Sequence, residues 1–173
     1  MRTTAKRTGT ASAKVVRRAP RNVEEAIRAA EAIFPGRMVR GDAPDPRWQA
    51  LFVIKEFLES DPEPIWAFIV RWGRHRSEDL RTGIALVLLE HLLPLHFESV
   101  FPRARKLARS NEKFAWTLEW CQSSFCAPRE RRRLDRLQNE LRPQLRELSR
   151  RASRRRAAVA RVSGRRPKRR ATA

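Results

Sequence analysis

The chain has 173 residues, with 39 Lys or Arg against 19 Asp or Glu and a formal net charge of +20. That length holds one core of about 100 to 150 residues with appendages. No apolar run reaches the roughly eighteen residues of a membrane span, and no apolar stretch follows the basic N-terminus, so neither a span nor a secretory signal is expected.

The charge is unevenly placed. Residues 1–21 hold seven Lys or Arg and no acid, residues 22–127 hold fourteen against fifteen acids, and residues 128–173 hold eighteen against four. The middle reads as an ordinary neutral globular segment. The flanks are poor in large apolar residues and cannot bury enough surface to offset ordering entropy, so 1–21 reads as a disordered basic arm and 150–173 as a disordered Arg-rich tail. Residues 1–21 share the Arg, Ser and Thr richness of a transit peptide, but a basic arm matching the other end of the chain is the simpler reading. Arg outnumbers Lys by 33 to 6, which favours a bidentate grip on phosphate or carboxylate. A GC-rich coding bias also yields Arg, Ala and Pro, though it does not explain the missing acids.

Helix signals are dense, and no strand alternation interrupts them. Asn22 reads as an N-cap for a helix ending near Phe34, where Pro35 and Gly36 stop it. A loop rich in Gly, Asp and Pro follows. Asp45 before Pro46 opens DPRWQALFVIKEFLES, and Asp61 before Pro62 opens EPIWAFIVRW, which Gly73 is expected to end in a left-handed conformation. Ser77 starts SEDLRTGIALVLLEHLL, stopped by Pro94. Then come HFESVFPRARKLAR, bent or restarted at Pro102, and NEKFAWTLEWCQ with Asn111 as its cap. After Pro128 a charged helix runs over 128–149, with Pro143 kinking or ending it.

A repeat is visible at an offset of 34 residues. Asp45 and Arg47 correspond to Asp79 and Arg81, Glu56 to Glu90, and Arg71 to Arg105. Ile84 to Leu89 is apolar on every side, as a helix sandwiched between neighbours requires. The fold class expected is all-α. The early Asp and Arg of the long helices, in DPRWQALFVIKEF through FPRARKLARS, resemble the short HEAT-like superhelices of bacteria, distantly including DNA alkylation repair glycosylases. That resemblance covers about 22–125 and implies an α-α superhelix of stacked antiparallel hairpins. The catalytic pattern of those glycosylases, an Asp near Trp residues in the cleft, is missing: Trp72 is followed by Gly73.

Catalytic, cofactor and metal sites are not expected. His91 and His96 are five apart with Pro94 between them, wrong for two ligands on one helix face. Cys121 and Cys126 have no partner pair for zinc and read as reduced structural thiols. Glu56 and Glu90 read as acids that cap or bridge a neighbouring repeat. Trp48, Trp66 and Trp72 belong to apolar stripes and read as core. Trp116 and Trp120 share one face of their helix and Phe114, Leu118 and Cys121 form another; whichever looks away from the repeat stack is expected to be covered by the stripe Leu134, Leu137, Leu141, Leu145 and Leu148, the alternatives being an exposed partner site or a two-stranded coil.

The positive groups point to nucleic acid. Candidates in the tail are Arg150, Arg151, Arg154, Arg155, Arg156, Arg165, Arg166, Lys168, Arg169 and Arg170. In the second helices of the hairpins, which line the concave surface of HEAT-like folds, they are Arg71, Arg103, Arg105, Lys106 and Arg109, with Arg74 and Arg76 in the connection. Such groups would bind DNA or RNA through its backbone, without reading bases. The alternative is a protein-interaction adaptor with merely solubilising tails; a repair enzyme would need a buried acid beside an open cleft. A monomer in the cytoplasm is expected, nucleoid-associated if bacterial, while RRPKRR would serve as a nuclear signal in a eukaryotic chain.

Overall fold

A computed structural model describes residues 19–34, 36 and 45–163; for residue 156 and residues 158–163 only the backbone is described. Among these residues there are helices and no strand. α1 spans Val23–Ile33, α2 Pro46–Lys55 and α3 Pro62–Trp72. α4 (Glu78–Gly83) runs without a break through a π-helix (Ile84–Leu89) into α5 (Glu90–Leu95), making one central rod. α6 spans Phe97–Ser110, α7 Glu112–Trp120 and α8 Pro128–Ser163. The Gly, Asp and Pro-rich loop expected before α2 lies, apart from Gly36, outside the described residues.

Short polar side chains start the helices as expected. Asn22, Asp45, Ser77 and Asn111 each accept a hydrogen bond from a first-turn N–H, at Glu25, Arg47, Leu80 and Phe114. Glu25 returns the favour by accepting from the Arg21 N–H at 2.9 Å, so α1 is pinned at the foot of the N-terminal arm. Asp61 does not cap α3; its carboxylate instead accepts from Ser60 Oγ at 2.6 Å.

The apolar run at 84–89 behaves as a sandwiched helix must. Ile84, Ala85, Val87, Leu88 and Leu89 are all buried, and so are Leu92 and Leu93 further along the rod. The rod packs against α2 and α7, and also against α3 and α6. Its π register is fixed by the Glu90 N–H donating to the Ala85 carbonyl, one residue further back than in an α-helix. A second series of neighbours runs from α1 to α3 and from α6 to α8. The Glu63–Arg103 pair joins α3 to α6 and closes the gap in that series.

Two glycines allow close approach. A Cβ on Gly83 would stand 2.9 Å from Leu51 Cδ1, where the rod crosses α2. Gly73 corrects the expectation of a left-handed cap: its φ is −66° and its ψ −12°, in the right-handed region. Space is the reason for glycine there, because a Cβ would meet the Ile69 carbonyl at 2.7 Å and the Phe114 ring at 3.1 Å. The same close approach lets Thr117 Oγ1 donate to the Gly73 carbonyl at 2.6 Å.

Prolines interrupt less than expected. α6 continues past Pro102, and α8 past Pro143, without a break in the helix. The largest correction is the end of α8. The sequence reading stops it near residue 149 and leaves 150–173 disordered, but the helix continues to Ser163. Residues 144–163 contain neither Gly nor Pro and are rich in Arg and Ala, both strong helix formers, and Gly164 follows. Residues 1–18 and 164–173, which include Arg165, Arg166, Lys168, Arg169 and Arg170, lie outside the described residues.

One buried ion pair ties the ends of two long helices together. Arg47, at 4% exposure, reaches from α2 to Asp45 at 2.5 Å and to Asp79 of α4 at 2.7 Å. Hydrogen bonding to Asp45 holds its guanidinium firmly protonated, against burial, with Asp79 assisting. Arg81, its counterpart in the 34-residue repeat, does something else, donating to the carbonyls of His75 and Arg76. Arg47→Ala leaves two carboxylates facing each other across that junction and is expected to lower unfolding free energy by about 3 kcal/mol in urea titration, with Arg47→Lys recovering part of the loss.

Candidate nucleic-acid interface

The cations of the folded body divide into those already engaged and those free to take a ligand. A ladder of Glu–Arg pairs engages the first set. Glu31 of α1 accepts from Arg71 of α3 at 2.7 Å; Glu63 of α3 accepts from both ends of the Arg103 fork at 2.6 and 2.9 Å; Glu98 of α6 accepts from Arg133 of α8 at 2.6 Å. Each rung adds an aromatic. The Arg71 guanidinium lies 5.5 Å from the Trp72 ring centroid, Arg103 lies 5.0 Å from Trp66, and Arg133 lies 4.9 and 5.0 Å from Phe97 and Phe101. Hydrogen bonding from Arg103 keeps the Glu63 carboxyl below its ordinary range. Arg109 makes a bidentate pair with Glu140 of α8 at 2.9 and 2.8 Å, which lowers the Glu140 pKa and raises that of Arg109.

Three of the candidate phosphate ligands, Arg71, Arg103 and Arg109, are therefore bound to glutamates of adjacent helices. Arg74 turns back to donate to the Val70 carbonyl at 2.7 Å. Arg76, Arg105 and Lys106 are exposed, and their side chains make no hydrogen bond or ion pair among the described residues.

Further cations without a carboxylate partner gather on α8, where Arg136 donates only to the Arg132 carbonyl at 3.2 Å. This helix carries thirteen Arg against four acids. Its buried side is the expected leucine stripe: Leu134, Leu137, Leu141 and Leu145 are buried, and Gln138 between them donates to the carbonyls of Leu118 and Cys121, both at 2.8 Å. The stripe covers α6 and α7, leaving Trp116 partly buried and Trp120 at the surface. On the opposite side, the 3.6-residue period brings Arg129, Arg132, Arg136, Arg150 and Arg154 into one row, about 38 Å long. Two acids share that side, and both are neutralised: Glu140 by Arg109 and Glu147 by Arg151 at 3.0 Å.

Two features extend the row. Arg105 and Arg109 of α6 and Arg133 and Arg136 of α8 line one small groove of about 240 Å³. Beyond Leu148 the described side chains from Ser149 to Arg155 are all exposed, so the last turns of α8 carry Arg150, Arg151, Arg154 and Arg155 clear of the core. The backbone at Arg156 continues the same helix. Arg129, Arg132, Arg133 and Arg136 are absent from the sequence-based candidates, although the helical period that reveals the leucine stripe also reveals this arginine row on its back.

The remaining ionisable groups serve the fold. Glu90, with its side chain 8% exposed, accepts from the Gln122 N–H at 3.2 Å and so caps the end of the neighbouring hairpin. It stands behind an open cleft lined by Lys55, Glu56, His91, Leu95 and Phe125, but its carboxylate is not among the lining groups. Cys121 and Cys126 are free, buried thiols; burial pushes the Cys121 pKa well up, which makes it a poor nucleophile. His96 Nε2 meets the Leu58 carbonyl at 2.8 Å, and His75 Nδ1 accepts from the Ser77 N–H at 3.1 Å. No group of three or more His, Cys, Asp or Glu suited to a metal occurs among the described residues. No described helix is long and apolar enough to cross a membrane.

Burial raises the Glu90 pKa, opposed by the Gln122 N–H and by Lys55. A carboxyl raised on folding stabilises the fold below its unfolded pKa, about 4.3, and loses that contribution as pH climbs through the folded value. Glu90→Gln keeps an acceptor for Gln122 without the charge. It is expected to unfold at higher urea than the parent chain at pH 7, with the difference shrinking toward zero near pH 4. No family model, no curated protein and no solved structure matches this chain.

Proposed function

We propose that this protein is a non-enzymatic helical scaffold that binds nucleic acid through its phosphate backbone, with α8 as the binding element. The observation that carries this reading is the sorting of charge: arginines between the helices of the body are matched by glutamates, while the row on the back of α8 is not, and at its projecting end only Arg151 has a carboxylate partner among the described residues. An arginine row of that length runs beside about eleven phosphates of one strand. Exposed guanidinium groups along one helix face suit backbone contacts, which position a polyanion without reading its sequence. The described residues offer no metal cluster, and their buried acid and thiols are engaged in packing or capping.

The scaffold fits a short HEAT-like superhelix. The contacts of the central rod with α2 and with α7 support reading these three as the first helices of successive hairpins, with α3, α6 and α8 as the second helices. In that arrangement the ladder Glu31–Arg71, Glu63–Arg103, Glu98–Arg133 fastens each second helix to the one before it. This reading favours a cytoplasmic monomer, nucleoid-associated if the chain is bacterial.

A second reading, the protein adaptor, is favoured by one surface. Leu95 and Phe125, 46% and 56% exposed, line the same cleft as Glu56 and His91, where a partner segment could seat apolar side chains.

Truncation after Ser149 separates the two readings. The whole chain is expected to bind a short labelled duplex with a log–log salt slope near −5, for about six phosphates neutralised, losing roughly a thousandfold in affinity between 50 and 200 mM salt. The truncated chain keeps the groove between α6 and α8 and is expected to bind much more weakly, with a shallower slope. Equal affinity and slope for both chains would contradict the assignment to α8.

A further inference from the structure

Among the described residues most serines are occupied or lack a cationic approach. Ser77 caps α4, Ser60 donates to Asp61, and Ser110 donates to the carbonyls of Lys106 and Leu107. Ser149 has Glu147 two residues before it. Ser153 differs on every count: it is exposed, its hydroxyl makes no hydrogen bond among the described residues, and it is preceded by Arg150, Arg151 and the small Ala152.

We propose that Ser153 is a phosphorylation site for a basophilic serine kinase, and that phosphate there switches off polyanion binding by α8. The switch rests on the nucleic-acid reading above; the site itself does not. Kinases of this class present acidic groups to cations two and three residues before the acceptor hydroxyl, and Arg151 and Arg150 stand at those places. They also take the acceptor segment in extended form. The stretch after Leu148 can supply one, because the described side chains there touch no core, and an isolated helix of about fifteen residues is marginal in water. Unwinding it leaves the leucine stripe seated on α6 and α7.

In the transfer, the Ser153 Oγ–phosphorus bond forms as the bond between the γ-phosphorus of ATP and ADP breaks, and the hydroxyl proton leaves to the kinase. The product carries a charge of about −1.5 to −2. Arg150, one helical turn back, and Arg154, next in the chain, are placed to pair with it. A phosphoserine thus occupies two members of the arginine row that would otherwise hold nucleic-acid phosphates. Losing about two such contacts lowers the magnitude of the salt slope by about 2 and weakens binding by about 10- to 100-fold near 100 mM salt.

The test incubates the whole chain with the catalytic subunit of a cyclic-nucleotide-dependent kinase and Mg-ATP, maps the phosphate by mass spectrometry, and measures binding of a short labelled duplex before and after. Phosphate is expected on Ser153 and to be lost in Ser153→Ala, with weakened binding and a shallower slope in the modified chain. Ser153→Asp is expected to weaken binding in the same direction by less. Incorporation at other serines with Ser153 untouched overturns the site. A chain modified at Ser153 that binds as tightly and as steeply as before overturns the switch. An unmodified chain that ignores the duplex overturns the nucleic-acid reading and the switch with it, and the mass spectrum still decides the site.

Discussion

The pairing of arginines with glutamates of neighbouring helices governs how this molecule carries its charge. A chain of net charge +20 repels itself when compact. The rungs Glu31–Arg71, Glu63–Arg103 and Glu98–Arg133 turn part of that charge into links between helices, and Arg109–Glu140 adds another. Solvent screens these exposed pairs, so each adds little to stability alone. Their larger effect is on availability. An arginine seated on tryptophan and held by a carboxylate is a poor ligand for an incoming phosphate, which is why the proposed function assigns the polyanion to α8.

The body can carry such a helix because its own packing does not depend on charge. The central rod is enclosed by α2, α3, α6 and α7, and from Ile84 to Leu89 every side chain but the half-buried Leu86 is buried. Gly83 and Gly73 let α2 and α7 approach to distances that any side chain would forbid. α8 then adds its leucine stripe to α6 and α7. The helix has two jobs along its length: the first half is core on one side and cation on the other, and the second half is cation without core. That division lets the last turns engage a ligand, unwind or be modified at little cost to the rest.

Much of this was legible in the residues. Asn22, Asp45, Ser77 and Asn111 mark helix starts because their side chains outcompete other partners for the first-turn N–H groups. The enclosure of Ile84–Leu89 follows from apolarity on every side, and the leucine stripe of α8 from its 3, 4, 4, 3 spacing. Three things were hidden. Partner choice was one: Arg71 and Arg103 look like free cations in the sequence, and their glutamates lie about forty positions away. The conformation of Gly73 was another, since a glycine after a helix suggests a left-handed cap, whereas here it makes room for Phe114. The length of α8 was the third, because a lack of large apolar residues was read as disorder although Arg and Ala favour helix on their own.

The claim at the centre is that the arginines between the body helices are held by glutamates, while the row Arg129, Arg132, Arg136, Arg150 and Arg154 on the back of α8 has no carboxylate partner. Amide hydrogen exchange of the whole chain, with and without a short duplex in low-salt buffer, tests it directly. The account predicts new protection confined to α8 and to the end of α6 beside it, with α2 and α3 unchanged. Protection appearing across α3 and the connection at Arg74 and Arg76, while α8 exchanges as it does alone, would contradict it.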